Sequence, residues 1–261
     1  MIELNTHKSK KGFALSSFDH LESAPAQDVL RWAIGKFGSR IAITTSFQRE
    51  GMVIVDMAAK ISPDVRVLTL DTGRLPPETY DMIEAVRAKY RLPVEVVSPD
   101  AAEIESMVTK HGPNLFYESV ALRTLCCHFR KVRPLERKMD GLDAWVAGLR
   151  RSQSETRGSL AKIQEIDGRL KISPLADWTR EQVRAYTAEN SVPEHPLYAK
   201  GYESIGCDPC TRAIDAQEDE RAGRWWWEQS SNKECGLHFT PDGRVERSVD
   251  VLIRDILVQH A

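Results

Sequence analysis

Five cysteines are the residues of this chain best suited to chemistry, and they are spaced as an adjacent pair, Cys126-Cys127, a second pair, Cys207 and Cys210, and a single Cys235. Four soft thiolates from two short segments suit a tetrahedral zinc or an iron–sulfur cluster, since both take deprotonated sulfur and need neither nitrogen nor oxygen ligands. The adjacent pair favours the cluster. Consecutive α-carbons lie only about 3.8 Å apart, so two thiolates of one dipeptide crowd a single small ion, whereas a cubane offers them separate irons. A strained vicinal disulfide, or plain buried thiols, would leave the Cys207/Cys210 pair unexplained. On the cluster reading, Cys235 is left over and able to react.

The chain around these thiols reads as an intracellular enzyme. Its 261 residues, 41% hydrophobic and 28% charged, suffice for one large α/β domain or a domain with an appendage. Residues 1–16 are polar and lysine-bearing, which predicts neither a secretory signal nor a membrane span. Thiolate ligands survive in a reducing compartment, so the cytoplasm is expected. A net charge of −2 and the lack of a basic run predict no nucleic-acid partner.

The elements that must position the chemistry alternate between strand and helix patterns. Strands are expected at residues 40–45, 65–70, 94–97 and 144–147, with helices at about 52–61 and 76–90, the latter started by Pro76-Pro77. This order predicts a doubly wound, mostly parallel α/β sheet, whose ligands bind beyond the carboxyl ends of its strands. Three loops there carry the polar residues. Ser46-Phe47-Gln48-Arg49-Glu50-Gly51 puts a hydroxyl, an amide and a glycine at a helix N-terminus, an anion-binding arrangement. Asp71-Thr72-Gly73-Arg74-Leu75 follows the second strand, and a run from Gly148 to Arg157 follows the strand containing Trp145. None ends in Gly-Lys-Ser/Thr, so a Walker-type phosphate loop is excluded. Three such loops on one sheet edge predict an anionic, nucleotide-like ligand.

The combination of Ser46 to Glu50, Leu70 to Leu75, Cys126-Cys127 with Arg130-Lys131, Gly148 to Arg157, Ile205 to Arg212, Gly223 to Glu228 and Glu234-Cys235-Gly236-Leu237-His238 closely resembles the bacterial assimilatory adenylyl-sulfate reductases, in order, over residues 46–238. The resemblance implies an adenine nucleotide alpha hydrolase-like, Rossmann-like sheet. It further implies one [4Fe-4S] cluster per chain on Cys126, Cys127, Cys207 and Cys210, and attack by Cys235 on the sulfur of adenylyl sulfate to leave an S-sulfocysteine. With no cysteine left to resolve that adduct, thioredoxin is the implied reductant, in sulfate assimilation and cysteine biosynthesis. Related phosphoadenylyl-sulfate reductases of the cluster-free type lack the two cysteine pairs, so their presence points to adenylyl sulfate. A dual-specificity reductase is the runner-up, and a zinc-containing ATP pyrophosphatase acting on tRNA is the alternative from another class.

An anionic sulfuryl group and an anionic leaving group need fixed positive charge. Lys131 is expected one helical turn after Cys127, between cluster and substrate, and Arg150, Arg151, Arg157, Arg212 and Arg224 are further candidates. The remaining substrate-binding candidates are Ser46, Phe47, Gln48, Leu70, Thr72, Gly73 and Gly148. Cationic neighbours would also lower the Cys235 thiol from its ordinary pKa of about 8.5. His238 reads either as a base for Cys235 or as a packing residue. Three successive rings cannot face one ligand, so Trp225-Trp226-Trp227 is expected to pack and to anchor the Cys235 segment. The chain divides on this reading into a polar extension at 1–25, a nucleotide- and cluster-binding domain at 26–215 and a catalytic segment with an amphipathic tail at 216–261. In that tail Val249, Leu252, Ile253 and Ile256 share a face that would dock on the protein's own core or on a second subunit of a homo-oligomer.

Overall fold

The computed structural model describes residues 18–153 and 157–228. Cys235, His238 and the expected amphipathic tail lie outside the described residues. Six strands form one sheet: β1 (Ile41–Thr44), β2 (Val67–Leu70), β3 (Val94–Val97), β4 (Ala144–Ala147), β5 (Ile163–Ile166) and β6 (Arg169–Ile172), in the order β3-β2-β1-β4-β6-β5. All neighbours run parallel except the β5–β6 edge hairpin. The strands at 94–97 and 144–147 fall where the apolar pattern puts them. Ile41, Ala42 and Ile43 are buried on both faces, which is why β1 is a continuous apolar run and not an alternating one. The sequence reading missed the hairpin, although Asp167-Gly168, both at positive φ, marks its two-residue turn.

Helices cover the sheet. They are α1 (Asp19–Glu22), α2 (Ala26–Phe37), α3 (Arg49–Ile61), α4 (Pro77–Tyr90), α5 (Ala101–His111), α6 (Val120–Cys127), α7 (Arg133–Met139) and α8 (Arg180–Glu189). Phe18 and Leu21, inside the expected polar extension, are buried in the main core, so packing begins ahead of residue 26. Local chemistry sets the helix ends. Pro77 begins α4, Ser119 Oγ accepts from Leu122 N to start α6, and Thr179 and Gln182 form a capping box on α8.

Between α6 and α7 the helix passes through a π turn at His128–Val132, where Arg133 N reaches back to His128 O. Pro134 follows in the first turn of α7. Its ring would clash with the carbonyl four residues back in a regular α-helix, and the widened turn removes that conflict. Among the described residues no helix is long and apolar enough to cross a membrane.

The strand order reverses between β1 and β4: β2 and β3 lie on one side, β6 and β5 on the other. This is the switch point at which parallel sheets open a crevice beyond their carboxyl ends.

Candidate nucleotide cavity and cysteine cleft

At the switch point a cavity of about 260 Å³ opens between the end of β1, the first turn of α3 and the loop after β4. Ser46, Gln48, Gly51, Gly148 and Arg157 line it, together with Glu220 from a distant loop. The approach of the β4 loop to α3 requires glycine at 148: a Cβ there would stand 2.8 Å from Gly51 N and 3.1 Å from the Glu50 carbonyl carbon. The backbone N–H groups opening the 13-residue α3 face an anion-favouring end of the helix dipole.

The arginines expected to bind substrate divide. Arg157 lines the cavity and donates to Gln153 Oε1 at 2.5 Å. Arg150 does not line it. Its side chain is 2% exposed and is held behind the wall by Glu50 Oε1 at 2.7 Å, with Glu220 Oε2 at 3.5 Å and Ser152 Oγ at 2.6 Å. Arg151 turns toward Leu160 O and Glu22, and Arg212 is taken up by Glu218 and its own neighbour Ala213 O. Phe47 is fully buried in the main core at φ 58°, where its ring packs and aims the turn. Leu70, at the end of β2, packs on a small cluster under the sheet edge.

The loop after β2 meets the cysteine segments and does not line this cavity. Thr72 Oγ1 is 3.2 Å from Cys207 Sγ, Thr72 O accepts from Arg130 at 2.7 Å, and Gly73, at φ 69°, donates its N–H to Asp71 Oδ1. Asp208 N donates to Arg74 O at 2.8 Å, which ties this loop to the second cysteine pair.

Cys126 and Cys127 at the end of α6, Cys207, and Cys210 in the 3₁₀ turn Asp208–Cys210 that Cys207 precedes line one cleft and are all buried. Arg74, Arg123, Arg130 and Lys131 line it with them. Lys131 therefore lies beside the cysteines as expected, although the step from Cys127 runs through the π turn and not an α-helical one. Burial pushes the Cys126 thiol up, against the Arg130 guanidinium, and burial beside Cys207 pushes Cys210 up to about 12. Both shifts favour the protonated thiol.

No group of three or more His, Cys, Asp or Glu side chains among the described residues is arranged to hold a metal ion. Four buried cysteines around one cleft nevertheless match the donor set of an iron–sulfur cluster, which spreads its thiolates wider than a single zinc. Two neighbouring buried donors, Arg224 Nε and Trp225 Nε1, make no hydrogen bond among the described residues, and cluster sulfurs accept such bonds.

One loop joins cavity and cleft. Ser204 lines the cavity, Cys207 lines the cleft, and Ile205 N donates to Gln48 Oε1 at 2.9 Å. Arg224, 6% exposed, approaches Ser204 Oγ and Ile205 O and covers Gly206, where a Cβ would meet its Nη2 at 2.4 Å. Glu50, Ser204, Glu220 and Arg123 were not among the expected site residues. Only for Glu50, inside the first loop motif, was there a sequence signal.

A family model described as the phosphoadenosine phosphosulfate reductase domain matches residues 40–213. The chain is 45% identical over 215 residues to a protein of Burkholderia cepacia named adenosine 5'-phosphosulfate reductase, covering 82% of this chain and 86% of that one. A protein of the same name from Allochromatium vinosum is 46% identical over 200 residues, 76% and 78% of the two chains. Among solved structures, phosphoadenylyl-sulfate reductase from Candida auris, in a phosphate complex, superposes with a TM-score of 0.66 at 32% identity, covering 78% of this chain and 100% of that one. Candida glabrata FMN adenylyltransferase, at a TM-score of 0.51 and 14% identity over 93% and 86% of the two chains, is similar in fold alone.

Proposed function

The chain belongs to the phosphoadenosine phosphosulfate reductase family, and on that premise we propose that it is an adenylyl-sulfate reductase, which converts adenylyl sulfate to sulfite and AMP in sulfate assimilation. The observation that carries this reading is the loop from Ser204 to Cys210, which makes a nucleotide cavity and a four-cysteine cleft share a wall. Relatives of 45 and 46% identity named for adenosine 5'-phosphosulfate support the choice of substrate.

In this reading AMP occupies the cavity, with its phosphate at the start of α3 beside Ser46 and Gln48 and with Arg157 offsetting its charge. The sulfuryl group points toward the cleft, where Lys131 and Arg224 supply fixed positive charge. The Cys235 thiolate attacks the sulfur; the new S–S bond forms as the S–O bond breaks, and AMP departs with that electron pair. A thioredoxin thiolate then attacks Cys235 Sγ, sulfite leaves with the S–S electron pair, and the second thioredoxin thiol displaces Cys235 to close the thioredoxin disulfide. Sulfur is reduced by two electrons and the dithiol is oxidised by two. His238 is assigned no step. Cys126, Cys127, Cys207 and Cys210 would hold one [4Fe-4S] cluster per chain, which supplies, when bound, a polarising centre that ties the two cysteine segments together. The reducing cytoplasm is the compartment that suits these thiols and thioredoxin.

Mixing the loaded enzyme with adenylyl sulfate in the absence of thiol tests the chemistry. One equivalent of AMP is expected, with about 80 Da added to the peptide containing Cys235, as an accumulated covalent intermediate demands. Cys235→Ser should retain the visible absorption and lose both signals. A variant that lost iron but still formed the adduct would reverse the roles of the thiols. A second reading, that the enzyme also takes the 3′-phosphorylated nucleotide, is favoured by the 32% identity to the Candida auris phosphoadenylyl-sulfate reductase.

A further inference from the structure

The run Trp225-Trp226-Trp227-Glu228 leads toward Cys235, seven residues beyond Glu228. Three consecutive tryptophans mark register poorly, because a slip of one residue returns an indole to the same apolar slot. In the structure Trp225 is 1% exposed within the cysteine-bearing core, Trp226 is 41% exposed, and Trp227 packs edge-on against Tyr117 with ring centroids 4.4 Å apart.

The fourth residue breaks the degeneracy. Glu228 accepts from Arg123 Nε and Nη2, both at 2.9 Å, and the two side chains are 2–3% exposed. The same guanidinium lies 4.6 Å from the centre of the Trp225 ring. A buried bidentate ion pair adds little net stability over apolar residues of similar volume, and its best-attested use is to fix register, since any slip would bury both charges without partners.

Arg123 is in α6, one turn before Cys126 and Cys127. On the other side, Trp225 N donates to Cys210 O at 3.1 Å and Arg212 N to Gly223 O at 3.0 Å. The approach to Cys235 is thus fastened to both cysteine pairs.

We infer that Arg123 and Glu228 are positioning residues, which set the register of residues 225–228 and so the point from which the Cys235 segment departs. This rests on the reading of Cys235 as nucleophile. A one-residue slip moves that point by up to about 3.5 Å, and about 1 Å of misplacement at a reacting centre costs on the order of 10²-fold in rate.

The test uses full-length, anaerobically purified, metal-loaded protein and the double variant Arg123→Met/Glu228→Met, which keeps apolar packing and removes the register signal. Visible absorption, AMP affinity and melting temperature should stay at wild-type values, while single-turnover AMP release from adenylyl sulfate slows about 10²-fold. Should the double variant not fold, Glu228→Asp, which keeps the buried charges paired but withdraws the carboxylate by one methylene, carries the same comparison. A wild-type single-turnover rate would overturn the inference. So would loss of absorption or AMP affinity in step with the rate, which would assign the pair to holding the cysteine site alone. Failure of the nucleophile reading is separable, because wild-type protein would then release no AMP and carry no adduct.

Discussion

Gly148→Ala tests the nucleotide cavity without replacing any charged group or cysteine. The added Cβ would lie 2.8 Å from Gly51 N, 3.1 Å from the Glu50 carbonyl carbon and 3.1 Å from Glu50 Cβ, against an optimum of about 3.5–4.0 Å between carbons. The closest obstacles are backbone atoms of the first turn of α3, so no rotamer change relieves them, and overpacking of this kind costs about 1–3 kcal/mol. The direct relief is for the β4 loop to move away from α3, which separates the two walls of the cavity and places a methyl group over an anion-facing N–H. Because that relief parts the two walls that hold the ligand, the cost falls on binding and AMP affinity drops by about 5- to 150-fold. Anaerobic calorimetric titration with AMP reads the effect, and the visible spectrum reports on the cysteine site beyond the shared wall, which should not change. An AMP affinity within twofold of wild type would refute the assignment of this cavity to the nucleotide.

Arg150→Met leaves Glu50 buried without its 2.7 Å partner; breaking such a pair costs about 3–5 kcal/mol, or a melting temperature lower by about 10 °C for a chain of this size, and a drop under about 3 °C would mean that the pair is solvated. Burial, with Arg157 nearby, depresses the Lys171 ammonium from 10.5 to about 8. Below about pH 8 both states are protonated and the folded state bears the full cost of the buried charge. Between pH 8 and 10.5 the unfolded chain holds more protons, so stability rises with pH. Lys171→Met should be more stable than wild type at pH 7 in urea titrations and should flatten that rise; an unchanged pH slope would refute the depressed pKa. Anaerobically isolated protein should contain about four irons per chain and lose them, with its colour, in Cys207→Ser, whereas stoichiometric zinc without iron would refute the cluster. With reduced thioredoxin, kcat/KM for adenylyl sulfate should far exceed that for its 3′-phosphorylated analogue, and comparable values would establish the dual-specificity reading.

The amino-acid sequence by itself determined the parts whose signals are local. Period and composition placed the strands at 94–97 and 144–147, and spacing picked out the four thiols that line one cleft. The polar loops were legible because a parallel sheet puts the residue after every strand at one edge. The Asp167-Gly168 turn and the Pro134-linked π turn were also written locally, but the sequence reading misses the hairpin and sets Lys131 on a regular helical turn. Which cation lines the cavity was decided by the tertiary structure alone. Arg150 and Arg157 sit in one polar run, yet Glu50, a hundred residues away in sequence, draws the first behind the wall and leaves the second on it. Likewise Thr72 faces a cysteine because Cys207, 135 residues on, folds against its loop, and the residue after the three tryptophans is held by Arg123, 105 residues before Glu228. Side-chain charge is a property of the residue, but its partner is a property of packing, since burial makes an unpaired charge too costly to leave and the fold determines which opposite charge is within reach.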